Sequence, residues 1–142
     1  MIVVVIIGLL TALGMPAWRK VRENAQNGAI INDFHVVQGA LQGYHLESGG
    51  WPVDVGRQVF PTELEGWVDR AFFEQRNNVG GVWDYEGPDP TGLVGLTLRE
   101  ANVSREQMLR VDARLDDGDL MTGSFRENVV AGDGYTLVID VP

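Results

Sequence analysis

Four aspartates in the last third of the chain are the side chains best suited to hold a ligand. They are Asp112, Asp116, Asp117 and Asp119. Calcium binds through about six to eight hard oxygen atoms, and a turn can bring several carboxylates together. The spacing does not match an EF-hand loop, so the sequence leaves two interpretations open. The run is either a calcium site or a plain acidic turn that Asp117 and Gly118 shape.

Two histidines, His35 and His45, are the other residues that could do chemistry. Ten residues of helix turn through about 1000°, so the two rings point about 80° apart and cannot form an i, i+4 metal pair. The sequence also contains no Gly-x-Ser-x-Gly motif, no His-Glu-x-x-His motif, no phosphate-binding glycine loop and no cysteine. We therefore expect no enzymatic activity, and we interpret both histidines as helix-surface or interface residues.

The first 18 residues hold 14 apolar side chains and no charge. A helix of this length spans roughly 27 Å at about 1.5 Å per residue, close to the ~30 Å hydrocarbon core of a bilayer. The unbroken apolar run at residues 2–7 leaves no polar face for water, which argues against the core helix of a soluble protein. We predict a membrane-spanning or filament-core helix over residues 1–22, here called the apolar arm. Its candidate buried positions are Ile2, Val5, Leu9, Leu13 and Pro16.

Charge divides the chain at the same place. Arg19, Lys20 and Arg22 form a basic collar that gives the first 22 residues a net charge of +3, whereas residues 23–142 carry −12. A strongly acidic domain repels phosphate backbones, so we expect no nucleic-acid partner. We interpret residues 23–142 as a soluble acidic head. The collar by itself favours the cytoplasmic side of a membrane, but topology also depends on the flank before the arm.

Beyond the collar, apolar residues recur at helical steps of three and four. Nothing from Val21 to Glu47 breaks a helix, and the run Ser48-Gly49-Gly50-Trp51-Pro52 supplies a stop. The sequence therefore predicts one helix of nearly fifty residues. We expect a seam between this helix and a sheet, formed by Phe34, Val37, Leu41 and Tyr44.

The rest of the head predicts an α+β fold, in which the long helix packs on a small antiparallel sheet. Strand patterns lie at residues 80–84, 93–98, 122–130 and 135–141. Thr62 with Glu65, and Ser104 with Gln107, have the spacing of capping boxes, so a short helix is expected after each. The first of these helices would carry an apolar stripe made of Leu64, Trp67, Val68, Ala71 and Phe72.

Two segments in this order carry a family resemblance. Residues 1–16, MIVVVIIGLLTALGMP, precede a basic stretch, and residues 40–52 read ALQGYHLESGGWP. They resemble the hydrophobic segment and the helix end of type IV pilin-like proteins, and more closely of the major pseudopilins of type II secretion systems. Residues 80–85 and 116–123 also look like segments of a pseudopilin-like subgroup. The resemblance implies calcium in a head loop, although the aspartates here do not obviously match the family motif.

The resemblance further implies a structural subunit of a pseudopilus or pilus-like filament that supports protein secretion. It implies a single-pass protein of the bacterial inner membrane with its head in the periplasm. The implied partners are the lipid bilayer, copies of the chain, other pseudopilins, an inner-membrane assembly platform and, for a full-length precursor, a prepilin peptidase. Family members begin with a basic leader ending in Gly, then Phe and Glu. We expect Met1 to be an internal methionine; the alternative is a processing-defective copy.

A second function class stays open on sequence grounds, a periplasmic binding module with a fixed single-span anchor. Gly8, Gly14 and Pro16 weaken a helix. A permanent anchor gains nothing from a weakened helix, whereas a helix that must extend locally during packing does. These residues favour the filament interpretation. An adhesive pilus subunit is a weaker third option, because such subunits usually have a larger head, often clamped by disulfides.

Overall fold

The computed structural model describes residues 2–88, 92–130, 132 and 134–141, without the side chain of Leu13. One long helix leads into a small head of short helices and strands. In chain order these elements are α1 (Ile2–Ser48), a 3-10 turn (Thr62–Leu64), α2 (Arg70–Glu74), β1 (Val82–Glu86), β2 (Val94–Arg99), α3 (Arg105–Leu115), β3 (Phe125–Glu127) and β4 (Gly134–Asp140).

Helix α1 ends where the sequence predicts its stop. Gly49 adopts a φ of 77°, a left-handed conformation that glycine reaches without a steric cost. Its amide donates to the carbonyl of His45 at 2.9 Å, which satisfies one of the last free carbonyl groups of the helix. The chain then leaves the helix axis and enters the head.

The four strands form one antiparallel sheet in the order β1-β2-β4-β3. Strand β4 lies between β2 and β3, and helix α3 connects β2 to β3 along the chain. The α+β layout of a long N-terminal helix on a small antiparallel sheet is therefore confirmed.

The core lies between the second half of α1 and one face of the sheet. Strand residues on that face alternate with residues that point to the other side, as the two-residue period of a strand requires. The large, fully buried side chains on the core side of the strands are Trp83, Tyr85, Leu96, Leu98 and Phe125. A short helix and loops close the core around Leu64, Phe73 and Leu120.

Two local predictions were wrong and one is confirmed. The expected helix after Thr62 is only a 3-10 turn without a side-chain cap. The chain turns away at Gly66, whose φ is 88°. The strand expected at residues 122–130 is confined to Phe125–Glu127, because the segment before it is occupied by the acidic loop described below. Ser104 does cap α3, since its hydroxyl accepts from the Gln107 amide at 3.1 Å.

Candidate functional site

The apolar arm makes no core of its own. Ile2, Val5 and Leu9 are 78%, 61% and 60% exposed, and every described side chain from Ile2 to Arg22 is exposed. The side chain of Leu13 lies outside the description. Within the described residues, α1 is the one helix long and apolar enough to cross a membrane, and none of its most apolar window is buried against the head. The arm therefore offers an unpartnered apolar surface.

Pro16 lies inside α1, which continues without a break from Ile2 to Ser48. Proline has no amide hydrogen, so the carbonyl of Ala12 loses its usual helical donor and the ring crowds that turn. One turn earlier, the Thr11 hydroxyl donates to the Ile7 carbonyl at 2.7 Å. The helix is thus continuous in the isolated chain, with a weak point near residue 16.

The predicted seam residues lie on the head side of α1. Phe34, Val37 and Leu41 are fully buried, and Tyr44 is half-buried against the same cluster. The Phe34 ring meets Trp83 of β1 and Phe125 of β3 edge-on, at centroid distances of 5.0 and 5.2 Å. Phe34 therefore contacts two strands at once.

Two polar contacts fasten the start of the head to α3. Asn27 and Gln107 are both buried, and the Gln107 amide donates to the Asn27 side-chain oxygen at 2.8 Å. Nearer the arm, the Arg110 guanidinium donates to the Glu23 carboxylate from Nε at 3.0 Å. Nothing in the sequence pattern pairs these residues. They place the first contacts between α1 and the head directly after the basic collar.

Three of the four predicted calcium ligands converge at the C-terminal end of α3. One carboxylate oxygen from each of Asp112, Asp116 and Asp117 lies within 4.8 Å of the other two. Asp119 lies outside this group, and its carboxylate accepts from the Met121 amide at 3.1 Å. The structure therefore brings three of the four candidate ligands together and leaves Asp119 outside the group, and calcium binding at this loop stays a prediction.

Hydrogen bonds hold the loop in this form. The Asp119 amide and the Thr122 hydroxyl each donate to the Asp117 carboxylate at 2.8 Å, and the Ser124 amide donates to Asp116. Gly123 passes so close to Asp116 that a Cβ there would lie 1.9 Å from its carboxylate oxygen, and its φ is 70°. The loop therefore requires glycine at position 123.

Asp112 is the unusual member of the group. It is 0% exposed, and neither of its carboxylate oxygens accepts a hydrogen bond of normal geometry among the residues that the structure describes. The Gly118 amide only partly offsets the effect of burial on its pKa. Burial, together with the charges of Asp117 and Asp116, raises the pKa of Asp112 to about 6. A buried carboxylate without a well-formed hydrogen bond, facing two further carboxylates, is a set of ligand atoms that fits a hard divalent cation.

The histidines lie apart from this loop and do different things. His35 is exposed, whereas His45 is half-buried and stacks on Trp51 with ring centroids 4.2 Å apart. Trp51 in turn donates from its indole nitrogen to Asp140 at 3.1 Å. His45 thus packs where the chain leaves α1, as an interface residue of the head.

Sequence reasoning passed over a carboxylate on the side of α1. Asp33 is half-buried without an ion pair or side-chain hydrogen bond among the described residues, and burial raises its pKa. Its only sequence signal is its place beside the seam residue Phe34, where a solvated charge is not expected.

Comparison with known proteins gives no further guidance. No family model, curated protein or solved structure matches the chain.

Proposed function

We propose that this chain is a structural subunit of a type II secretion pseudopilus or a type IV pilus-like filament, without enzymatic activity. One observation carries the proposal. The same continuous helix is apolar over residues 2–18 and exposed wherever their side chains are described, whereas from Asn27 onward one of its faces is buried against the head. The first part needs an apolar environment that the head does not provide.

The size of the exposed surface supports this view. The arm exposes eleven large apolar side chains: Ile2, Val3, Val4, Val5, Ile6, Ile7, Leu9, Leu10, Met15, Trp18 and Val21. Burial of a large apolar side chain stabilises by about 1.5–3 kcal/mol, so burial of the arm amounts to on the order of 15–30 kcal/mol. Lipid tails or neighbouring copies of the helix can each supply this burial.

In the proposed cycle the chain first resides in the bacterial inner membrane, as a single-pass protein with its head in the periplasm. Assembly then exchanges lipid contacts for contacts with copies of the chain and other pseudopilins. An inner-membrane assembly platform and a prepilin peptidase are the further partners that this function requires. The resemblance of residues 1–16 and 40–52 to pseudopilins supports this assignment.

Within this function we assign calcium to the loop after α3. The group Asp112, Asp116 and Asp117 would hold the ion, with its remaining oxygen ligands from backbone or water. A bound cation would offset the repulsion among three close carboxylates and supply the partner that Asp112 lacks. Its role would be to hold the loop that joins α3 to β3.

Electron microscopy of cells that produce the complete protein tests the proposal. The expected result is filaments that antibodies against the head decorate, and that disappear when the arm is made polar by Val5→Asp and Leu9→Asp. Single, dispersed copies in the membrane, with no filament under any condition of secretion, would contradict the proposal. That outcome would favour the anchored binding module instead.

A further inference from the structure

A groove on the side of α1 contains the half-buried carboxylate of Asp33. It has a volume of about 320 Å³ and runs between α1 and the segment from α2 to β1. Its walls are mixed: Ala29, Phe72 and Trp83 lie beside the polar side chains of Gln75 and Asn77. The rings of Phe72 and Trp83 are stacked with their centroids 5.2 Å apart. Trp83 is buried, so the half-buried Phe72 is the ring that the groove leaves accessible.

The groove has a negative charge without a described cation to match it. The nearest candidate, Arg76, also lines the groove, but its guanidinium donates to the Gly80 carbonyl and to the Glu100 carboxylate. The raised pKa of Asp33, which burial causes, agrees with a carboxylate that has lost water and gained no partner. A cationic side chain with an apolar stem suits such a groove, because the stem packs on Phe72 and the charge meets the carboxylate.

Lys20 is the only lysine in the sequence. It is exposed in the basic collar and makes no ion pair among the described residues. Within one chain it cannot reach Asp33, because thirteen residues of straight helix separate the two by about 20 Å. The same thirteen residues rotate the helix by about 1300°, so the two side chains lie about 140° apart, nearly on opposite faces.

We propose that the Asp33 groove binds Lys20 of a second copy of this chain, displaced by about 20 Å along the helix axis. Parallel copies that pack side by side present opposite helix faces to each other, as Lys20 and Asp33 require. Copies that stand level in a membrane keep the two groups about 20 Å apart, so the pair forms only in a staggered stack. This inference rests on the proposed filament function and assigns its subunit contact.

A zero-length carbodiimide reagent tests the contact directly, because it joins an amine to a carboxylate only where the two touch. Filaments sheared from cells that produce the complete protein are treated with the reagent, and dimers are digested and analysed by mass spectrometry. The expected product is an amide between Lys20 and Asp33 of different copies. Lys20→Arg removes the only lysine amine, and Asp33→Asn removes the carboxylate. Each change should reduce this product at least tenfold, whereas Glu47→Gln on the same helix should not.

A charge exchange adds a functional readout. Asp33→Lys places two cations at the contact and should reduce the number of filaments per cell at least tenfold, and adding Lys20→Asp should restore them. Circular dichroism of each head shows that it is folded, and Asp33→Asn serves as the milder variant. Two results would overturn this inference alone. One is a cross-link in wild-type filaments that joins Lys20 to the acidic loop instead of Asp33. The other is an Asp33→Lys variant that forms as many filaments as the wild type. A wild-type chain that forms no filament overturns the proposed function, and the inference with it.

Discussion

The two halves of α1 share one unbroken helix and differ in almost everything else. Residues 2–22 are exposed wherever their side chains are described, and they are apolar on all sides except at Thr11 and the basic collar. Residues 23–48 are amphipathic, with Ile30, Phe34 and Leu41 fully buried. The first half pairs its backbone within the helix except at the Ala12 carbonyl opposite Pro16, and its apolar side chains have no packing partner in the head. The second half packs its apolar side chains against the head.

The difference shows that regular helix and a completed fold are separate properties. Backbone hydrogen bonds extend α1 through the arm without contacts to the head, although Gly8, Gly14 and Pro16 weaken helix there. The contacts of Glu23 and Asn27 with α3 mark the point where intrachain packing begins. The arm before that point is not buried against the head, so the two halves should respond to mutation in different assays.

Removal of the arm should have the largest effect. A chain that starts at Asn24 loses the apolar surface and should be a soluble monomer. The reason is that it loses the driving force for burial of the arm, which is on the order of 15–30 kcal/mol. Vesicle flotation and sedimentation velocity measure the two properties. The full chain is the control and should float with vesicles. If the shortened chain also floats, or aggregates, the division between the halves is misplaced.

Truncation of a seam residue tests the second half. Phe34→Ala removes a fully buried ring that packs on Trp83 and Phe125, and should cost about 3–5 kcal/mol of head stability. The thermal midpoint of the head should fall by about 10 °C or more. Val36→Ala, at a 49% exposed position of the same helix, is the matched control and should have little effect. Equal midpoints for the two variants would mean that the Phe34 face does not hold the head together.

The buried Asp112 at the end of α3 gives the head a pH-dependent stability that can be measured. The folded pKa of Asp112 is raised to about 6 from 3.8, so the folded head prefers the protonated form. Ionisation of Asp112 therefore does not destabilise the folded head below about pH 4. The destabilisation grows as the pH rises to about 6 and remains above that pH. At about 1.36 kcal/mol per pKa unit, the cost at pH 7 without calcium is at most about 3 kcal/mol.

Asp112→Asn should remove that cost. In chelator, the variant should be more stable than the wild type at pH 7 and equal to it at pH 4, as measured by urea unfolding. Added calcium should stabilise the wild-type head and leave the variant unchanged. Asp119→Asn, outside the converging group, should retain the calcium response. If the unfolding free energies of the wild type and Asp112→Asn depended on pH in the same way, ionisation of the buried carboxylate would not destabilise the head.

Signals that depend on a few neighbouring residues were readable in the sequence. The apolar arm, the helix stop at Gly49 and the Ser104 cap each rest on local chemistry and agree with the structure. The same reasoning failed at Thr62, because Leu64 is drawn into the core and Gly66 turns the chain before a helix can form.

Contacts between distant segments were not readable. Asn27 with Gln107, and the groove around Asp33, combine segments separated by 38 or more positions. The isolation of the Asp112 carboxylate likewise depends on what packs over the end of α3. Residue types suggested a cation at this loop, but only tertiary structure distinguishes a buried candidate ligand such as Asp112 from an exposed aspartate such as Asp119.

A pair of glycine substitutions compares the two halves most directly. Gly14 and Gly28 lie in the first and second half of α1, and a Cβ at either position would meet nothing within 4 Å. Alanine favours helix over glycine by about 1 kcal/mol. Gly28→Ala should therefore raise the unfolding free energy of the head by up to about 1 kcal/mol and leave filaments unchanged, whereas Gly14→Ala should not alter the head at all.

The effect of Gly14→Ala should appear in assembly instead. We expect the stretch from Gly8 to Pro16 to lose regular helix in the filament, where neighbouring helices can offer new partners to freed backbone groups. In hydrocarbon such groups would stay unpaired, which keeps the helix intact before assembly. About 1 kcal/mol of added helix stability shifts this local opening roughly fivefold, so Gly14→Ala should form fewer filaments. A filament density map is the decisive measurement, because continuous helix from Ile2 to Ala25 would show that Pro16 only bends α1, and the two alanine variants should then assemble equally well.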